Sequence, residues 1–354
     1  MENEVLIMNS YILRFFSYHQ PRRVRVIENL LVNRRTVANL FWGQQYGLLQ
    51  WLGANRSLTR REYDTTIDEL VAQGLLVVDD QQQARLTVAG VQRQEEDRDH
   101  QYQPHFLDWY WLANTNRLGQ RLLLGMQVVS ELAYHNVRYA PVTVGYGHLL
   151  AVKQWFARAN RDQLAATVYR DLTQLTTGLA GADPRLATVL TDGLVGHDLP
   201  AWTNAQFGQQ LGMAPADMLV LSHDLLLGVA AYCQHVPGPL HDLLGPLLNE
   251  DPMSKSAVQT LNLYQHGHSL TQIAAQRHLK LSTVREHLLE VAILCPAQLD
   301  WDQLLPERKR AALVKRYPDP DVTTWHFQSQ ADDDGAAFFD YRLFQIYQGR
   351  EAHE

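Results

Sequence analysis

The stretch from Ala257 to Ala292 constrains the fold more than any other part of this chain. Apolar residues recur at helical spacing from Ala257 to His266, and Gly267 supplies the left-handed residue on which such a helix ends. Ser269, followed three positions later by Gln272, is a capping box, which starts a second, short helix with Ile273 and the small Ala274 facing inward. The turn falls at His278 to Leu281. A third helix opens at Ser282 or Thr283, the latter in a capping box with Glu286, and Val284, Leu288 and Val291 give it one apolar face. Val284 lies ten residues after Ala274, the spacing that packs a third helix across its predecessor. This is the trihelical helix-turn-helix pattern.

The outer face of that third helix presents Ser282, Thr283, Arg285, Glu286 and Leu289. Lys280 and Arg285 suit phosphate oxygens, Arg285 also suits a guanine edge, and Ser282 and Thr283 suit backbone oxygens at a helix N-terminus. Helix-turn-helix folds also serve as protein-docking modules, so the pattern alone leaves both uses open. His278 stands at the turn position where many such motifs carry glycine.

The net charge of −7 argues against a polyanionic partner until its distribution is examined. Residues 1–61 carry nine Arg against three Glu, and residues 255–316 carry nine basic against five acidic side chains. Residues 62–254 are strongly acidic, with 11 basic against 22 acidic, and 317–354 are acidic again. Two basic islands in an acidic chain hint at nucleic-acid contact by part of the molecule. In the first island Arg22, Arg23, Arg25, Arg34 and Arg35 are expected to form a second electrostatic footprint, joined by Arg60 and Arg61 at the start of a further helix.

Elsewhere apolar residues recur mostly at helical spacing, so the fold class is mainly α. Tyr63, Ile67, Leu70 and Val71 predict an amphipathic helix that Gly74 ends. Leu75–Val78 and Arg85–Val88 are strand-like and flank a polar turn, so residues 1–95 are expected to form an N-terminal winged-helix-like unit with a small β-hairpin. Gln92 to Gln103 reads as a connector or a charged helix leading away. Residues 105–250 form a helical middle, and residues 255–350 the C-terminal helix-turn-helix domain. The aromatic run Phe106, Trp109, Tyr110 and Trp111 fits a core helix better than a base-stacking platform.

Several chemistries find no support. No GxxxxGK[ST] loop, HExxH or GxSxG occurs, so the chain is expected to be no enzyme, with no catalytic residue and no cofactor. The pairs His197-Asp198, His223-Asp224 and His241-Asp242 raise a metal-dependent phosphohydrolase, but helix caps and satisfied histidines account for them, and no metal is expected. His266, His268, His278 and His287 lack nearby cysteines for zinc apart from Cys295. The longest clean apolar runs, Leu122–Val129 and Leu225–Cys233, fall short of the roughly 20 residues of a membrane span, and with no signal peptide a cytoplasmic location, at the nucleoid or free, is expected.

The string IAAQRHLKLSTVREHL, with Leu299-Asp-Trp301, the Leu304-Leu-Pro306 helix start and a late Asp340-Tyr-Arg-Leu343 helix, resembles the helicase-associated helix-turn-helix module. That module occurs at the C-terminus of some RecQ-type helicases and in stand-alone YpbB-like proteins. RRVRVIENLLVNRRTVANLFWGQQYGLLQWLG and LTRREYDTTIDELVAQGLL also look YpbB-like. The resemblance implies a DNA-binding or helicase-accessory protein acting with a RecQ-type helicase in DNA repair or recombination. A pure protein-protein adaptor and a sequence-specific transcription regulator are the alternatives.

Overall fold

The computed structural model describes residues 9–328 and 335–351. Helix α1 (9–13) leads into β1 (Arg22–Arg23), α2 (Val24–Leu31), α3 (Val37–Gln45), α4 (Arg60–Ala72), the hairpin β2 (Leu76–Val78) and β3 (Gln83–Leu86), and α5 (Val88–His100). The middle comprises α6 (Thr115–Ala133), α7 (Tyr146–Arg158), α8 (Arg161–Ala182), α9 (Pro184–Asp192), α10 (Asn204–Leu211), α11 (Pro215–His235) and α12 (Pro239–Leu244). The chain continues through α13 (Lys255–Gln265), α14 (Leu270–Gln276), α15 (Leu281–Leu294), α16 (Trp301–Leu304), α17 (Glu307–Arg316) and α18 (Ala336–Glu351). The mainly helical class with one small sheet is as the apolar spacing predicts.

Contacts divide the chain into two compact units, both discontinuous in sequence. The first takes the chain up to Asn33 together with Gln50–Glu250; the second takes Arg34–Leu49 together with the chain from Asp251 on. Helix α3 therefore belongs with the C-terminal helices, where it packs on α15.

In the first unit the strands run antiparallel in the order β1-β3-β2, with Val77 opposite Arg85 and Arg22 opposite Ala84. The hairpin turn is held by Asp79, whose carboxylate accepts from the backbone of Gln81 and Gln83, and Gln82 takes φ +57°. Val88 begins α5 instead of ending a strand. Thr87 caps that helix by accepting from Gly90 N at 3.0 Å, so the second strand ends at Leu86 and lies two residues nearer the turn than the Arg85–Val88 that the β-branched pattern predicts. Only glycine fits at position 90, where a Cβ would stand 2.1 Å from Leu75 O. Helix α4 opens on a Thr59–Glu62 capping box and closes on Gly74 at φ +70°, with Leu75 N donating to Leu70 O.

Helix α11 is the core of this unit. Among the described residues it is the one helix long and apolar enough to cross a bilayer, and 78% of its most apolar window is buried within the protein. On it, Asp224 is fully buried and accepts from Tyr102 Oη (2.7 Å), His105 N (2.9 Å) and Phe106 N (2.7 Å). This clamp fixes the aromatic segment, which is not a core helix. Leu107–Trp109 is a single 3-10 turn, and Phe106, Trp109, Tyr110 and Trp111 are all half-buried. Two polar anchors, Asp224 before the turn and Asn249 bonding Trp111 O after it, override the helical spacing.

Candidate nucleic-acid interface

The second unit builds its helix-turn-helix from side chains that cap, fill and clip. Ser254 caps α13 by accepting from Ala257 N at 3.2 Å, and the Ser269–Gln272 capping box starts α14 as predicted. Ala257, Leu261, Ile273, Val284, Leu288 and Val291 are each at most 1% exposed, so the three helices share one apolar interior. Two turns of the same kind join them. At the end of α13, Gly267 lies at φ +85° and His268 N donates to Leu263 O; at the end of α14, His278 lies at φ +53° and Leu279 N donates to Ala274 O. Both are Schellman caps, and the second places an exposed histidine where glycine is unstrained.

Because that cap is tight, α15 starts early. Lys280 is its N-cap residue and Leu281 its first, so Thr283 sits inside the first turn and forms no capping box with Glu286. Residues Leu288 to Ile293 are all buried, since α3 and α18 pack on α15 in addition to α13 and α14. Leu289, which an isolated helix would leave on its outer face, is 3% exposed for this reason. The accessible face of α15 is confined to its first two turns: Lys280, Ser282 and Glu286 are exposed, and Thr283 and Arg285 are half-buried.

Charge around this face is sorted by partners. Arg277 is a clip between α14 and α13, donating to Ser256 O (2.8 Å), Thr260 Oγ1, Ser256 Oγ (2.9 Å) and Gln259 Oε1 (2.9 Å). Thr260 Oγ1 also meets His287 Nδ1 at 2.8 Å, and burial followed by the Arg277 charge pushes the His287 pKa below its ordinary value. Lys309 pairs with Asp340, and Arg310 with Asp302 and Glu307. Arg285 packs beside Gly335, 3.3 Å from where a Cβ there would lie. The ammonium of Lys280 is exposed and makes no ion pair among the described residues, and the same holds for Lys255, Arg308 and Lys315, which sequence reasoning did not single out.

The structure distributes the N-terminal candidates over both units. Arg22 and Arg23 form β1, and the Arg22 guanidinium donates to Phe15 O (2.6 Å) and Gln20 Oε1 (3.4 Å). Arg25 bridges Asp64 (2.5 Å) and Glu28 (2.9 Å), and the Asp64 hydrogen bond, ahead of Glu28, raises its pKa. Arg60 lies 3.9 Å from Asp64, and Arg61 is exposed. Arg34 and Arg35 belong to the second unit. There Arg35 donates to Pro252 O and to Glu290 Oε1 (3.1 Å), and Glu290 also accepts from Ser254 N (2.7 Å) and Ser254 Oγ (3.0 Å). That carboxylate thus ties the α3 segment, the α13 cap and α15 together.

The three His-Asp pairs are spoken for individually. His197 Nδ1 meets Glu131 at 2.8 Å, His241 Nδ1 meets Cys233 O at 2.7 Å, and His223 Nδ1 meets Thr115 Oγ1 at 3.2 Å beside the Asp224 clamp. Among the described residues no three His, Cys, Asp or Glu side chains gather as metal ligands would.

A family model described as "Helix-turn-helix domain" matches residues 256–332, the segment built from α13 to α17 and beyond. Protein YpbB of Bacillus subtilis (strain 168) is 23% identical over 195 residues, which are 54% of this chain and 54% of that protein. The chain thus matches about half the length of its curated relative. No solved structure matches it. Residues 256–332 thus match the helix-turn-helix domain family model, and the chain is similar to YpbB over about half its length, consistent with a YpbB-like helix-turn-helix family.

Proposed function

We propose that this chain is a non-enzymatic DNA-binding protein whose principal contact is the start of α15. The observation that carries the reading is the restriction of that helix's accessible face to two turns, where Lys280, Ser282, Thr283 and Arg285 stand together while the remainder is packed away. A recognition helix contacts its groove with N-terminal residues, and hydroxyls and cations at that end suit phosphate oxygens.

The first unit supports a second, weaker contact. Within the first unit, the order α1-β1-α2-α4-β2-β3 with sheet order β1-β3-β2 favours a winged-helix arrangement built from residues 9–33 and 50–95, with Arg60 and Arg61 at the start of α4 and the turn near Gln82 as wing. Glu62, Asp64 and Asp68 follow directly and repel phosphate, which limits contact to the helix start. The ion pairs of Arg25 favour a second reading for this unit, a protein-docking adaptor. On this account residues 1–95, 105–250 and 255–350 are the functional segments. The chain acts in the cytoplasm, at the nucleoid, as accessory to a RecQ-type helicase in repair or recombination; that partnership and that role rest on the sequence resemblance alone.

Binding of the full chain to duplex, single-stranded and forked DNA across a salt series tests the reading. Affinity that falls with log salt at a slope of several units supports it. Salt-independent or absent binding, with co-elution with the cognate helicase, would replace it with the adaptor.

A further inference from the structure

The first unit buries a cation that the DNA reading does not use. Arg121 lies on α6 between Leu118 and Leu122, and the packing that buries those leucines carries the arginine inward with them, leaving it 7% exposed. A guanidinium has five N–H donors and keeps its charge at any physiological pH. Here Nη1 reaches Leu243 O at 3.5 Å, Nε is buried without any partner, and no carboxylate pairs with the group among the described residues. Burial, then the nearby Arg117, both work against its charge. A buried, uncompensated charge is strongly destabilising, so the site is unfinished as it stands.

What completes it is indicated by the space beside it. Arg121 lines a cleft of about 630 Å³ that lies between α6, α7, α8 and α12 and opens to solvent, within the size range of small-molecule sites. A second guanidinium, Arg158 at the end of α7, lines the same cavity, as do the amides of Gln154, Asn160 and Gln163. Among the described residues Asp242 is the one acidic side chain lining it, and it makes no ion pair with Arg121. Two guanidinium forks and three amides offer more donors than a carboxylate accepts, and two cations match a dianion.

We propose that this cavity binds a small phosphate monoester, with Arg121 and Arg158 holding the phosphate group and Asp242 accepting from a hydroxyl of the organic part. The site lies wholly in the first unit and does not depend on the DNA reading.

The test uses the full chain in chloride buffer at fixed ionic strength, with inorganic phosphate and glycerol 3-phosphate as probes, succinate as the carboxylate control, and thermal unfolding and titration calorimetry as readouts. Both phosphates should raise Tm, and succinate should not. Arg158→Gln, at an exposed position, should keep Tm in chloride and weaken phosphate binding at least roughly tenfold, the loss of one charge-assisted contact. Arg121→Met, which retains the apolar stem, should match or exceed the parent Tm in chloride and lose the phosphate response. The proposal is overturned if neither phosphate shifts Tm, if succinate binds as well, or if Arg158→Gln responds to phosphate as the parent does.

Discussion

Histidine 223 sets a pH dependence of stability that can be worked out in advance. It is 7% exposed on α11, its Nδ1 meets Thr115 Oγ1 at 3.2 Å, and its Nε2 has no partner among the described residues. Burial, with the Arg56 charge as a second cause, pushes its pKa from 6.5 down to about 4. The folded protein thus holds the ring neutral where the unfolded chain protonates it. Stability from this group is complete above pH 6.5 and is lost as the pH falls toward 4. At about 1.4 kcal/mol per pKa unit, the loss is about 2 kcal/mol by pH 5 and about 3 kcal/mol by pH 4. The raised pKa values of Asp217 and Asp224, both caused first by burial, act with the opposite sign, since protonating those carboxylates in the folded state favours folding as pH falls. A difference measurement removes them. His223→Gln keeps a neutral hydrogen-bonding side chain for Thr115 and removes the titration, so urea unfolding at pH 7 and pH 5 should show the parent losing about 2 kcal/mol more than the variant. Equal losses in the two proteins would refute the argument that this ring is held neutral by burial.

Two further substitutions probe the helix-turn-helix itself. Val284→Asp buries an unpaired carboxylate at a position 0% exposed and should cost more than about 4 kcal/mol, removing the second unit's cooperative unfolding transition; a retained transition would show that Val284 is not in a closed core. His278→Gly relieves a left-handed backbone at an exposed site and should stabilise by up to about 1 kcal/mol in denaturant unfolding, whereas a loss of stability would mean the imidazole makes a contact that outweighs its backbone strain.

Local signals in the sequence account for many helix ends and caps, though not for the Thr283–Glu286 box, which the early start of α15 at Leu281 forestalls. The Ser269–Gln272 box, Gly74 and Gly267 as helix ends, and the spacing of Val284, Leu288 and Val291 each depend on neighbours within one or two turns, and each is seen. Tertiary neighbours were not legible. Nothing within residues 34–49 says that α3 packs on a helix some 240 positions later, and that packing covers Leu289 and takes Arg34 and Arg35 into the second unit. Charge counting is blind to partners for the same reason: Arg25, Arg35 and Arg277 add to the basic islands in sequence, while in space their donors are committed to Asp64, Glu290 and the α13 backbone. Arg121 escaped notice because a helical wheel shows an arginine beside leucines and not the cavity it lines.

The central claim is that the first turns of α15 grip phosphate. Replacing Lys280 and Arg285 together by alanine, neither in the buried core of the second unit, should leave its unfolding transition in place and flatten the dependence of log K on log salt for duplex DNA. Each lost phosphate contact removes about 0.9 from the slope, so the double variant should bind with a slope smaller by about 1.8. A slope and affinity identical to the parent's would contradict the claim and leave the helix-turn-helix as a protein-docking fold.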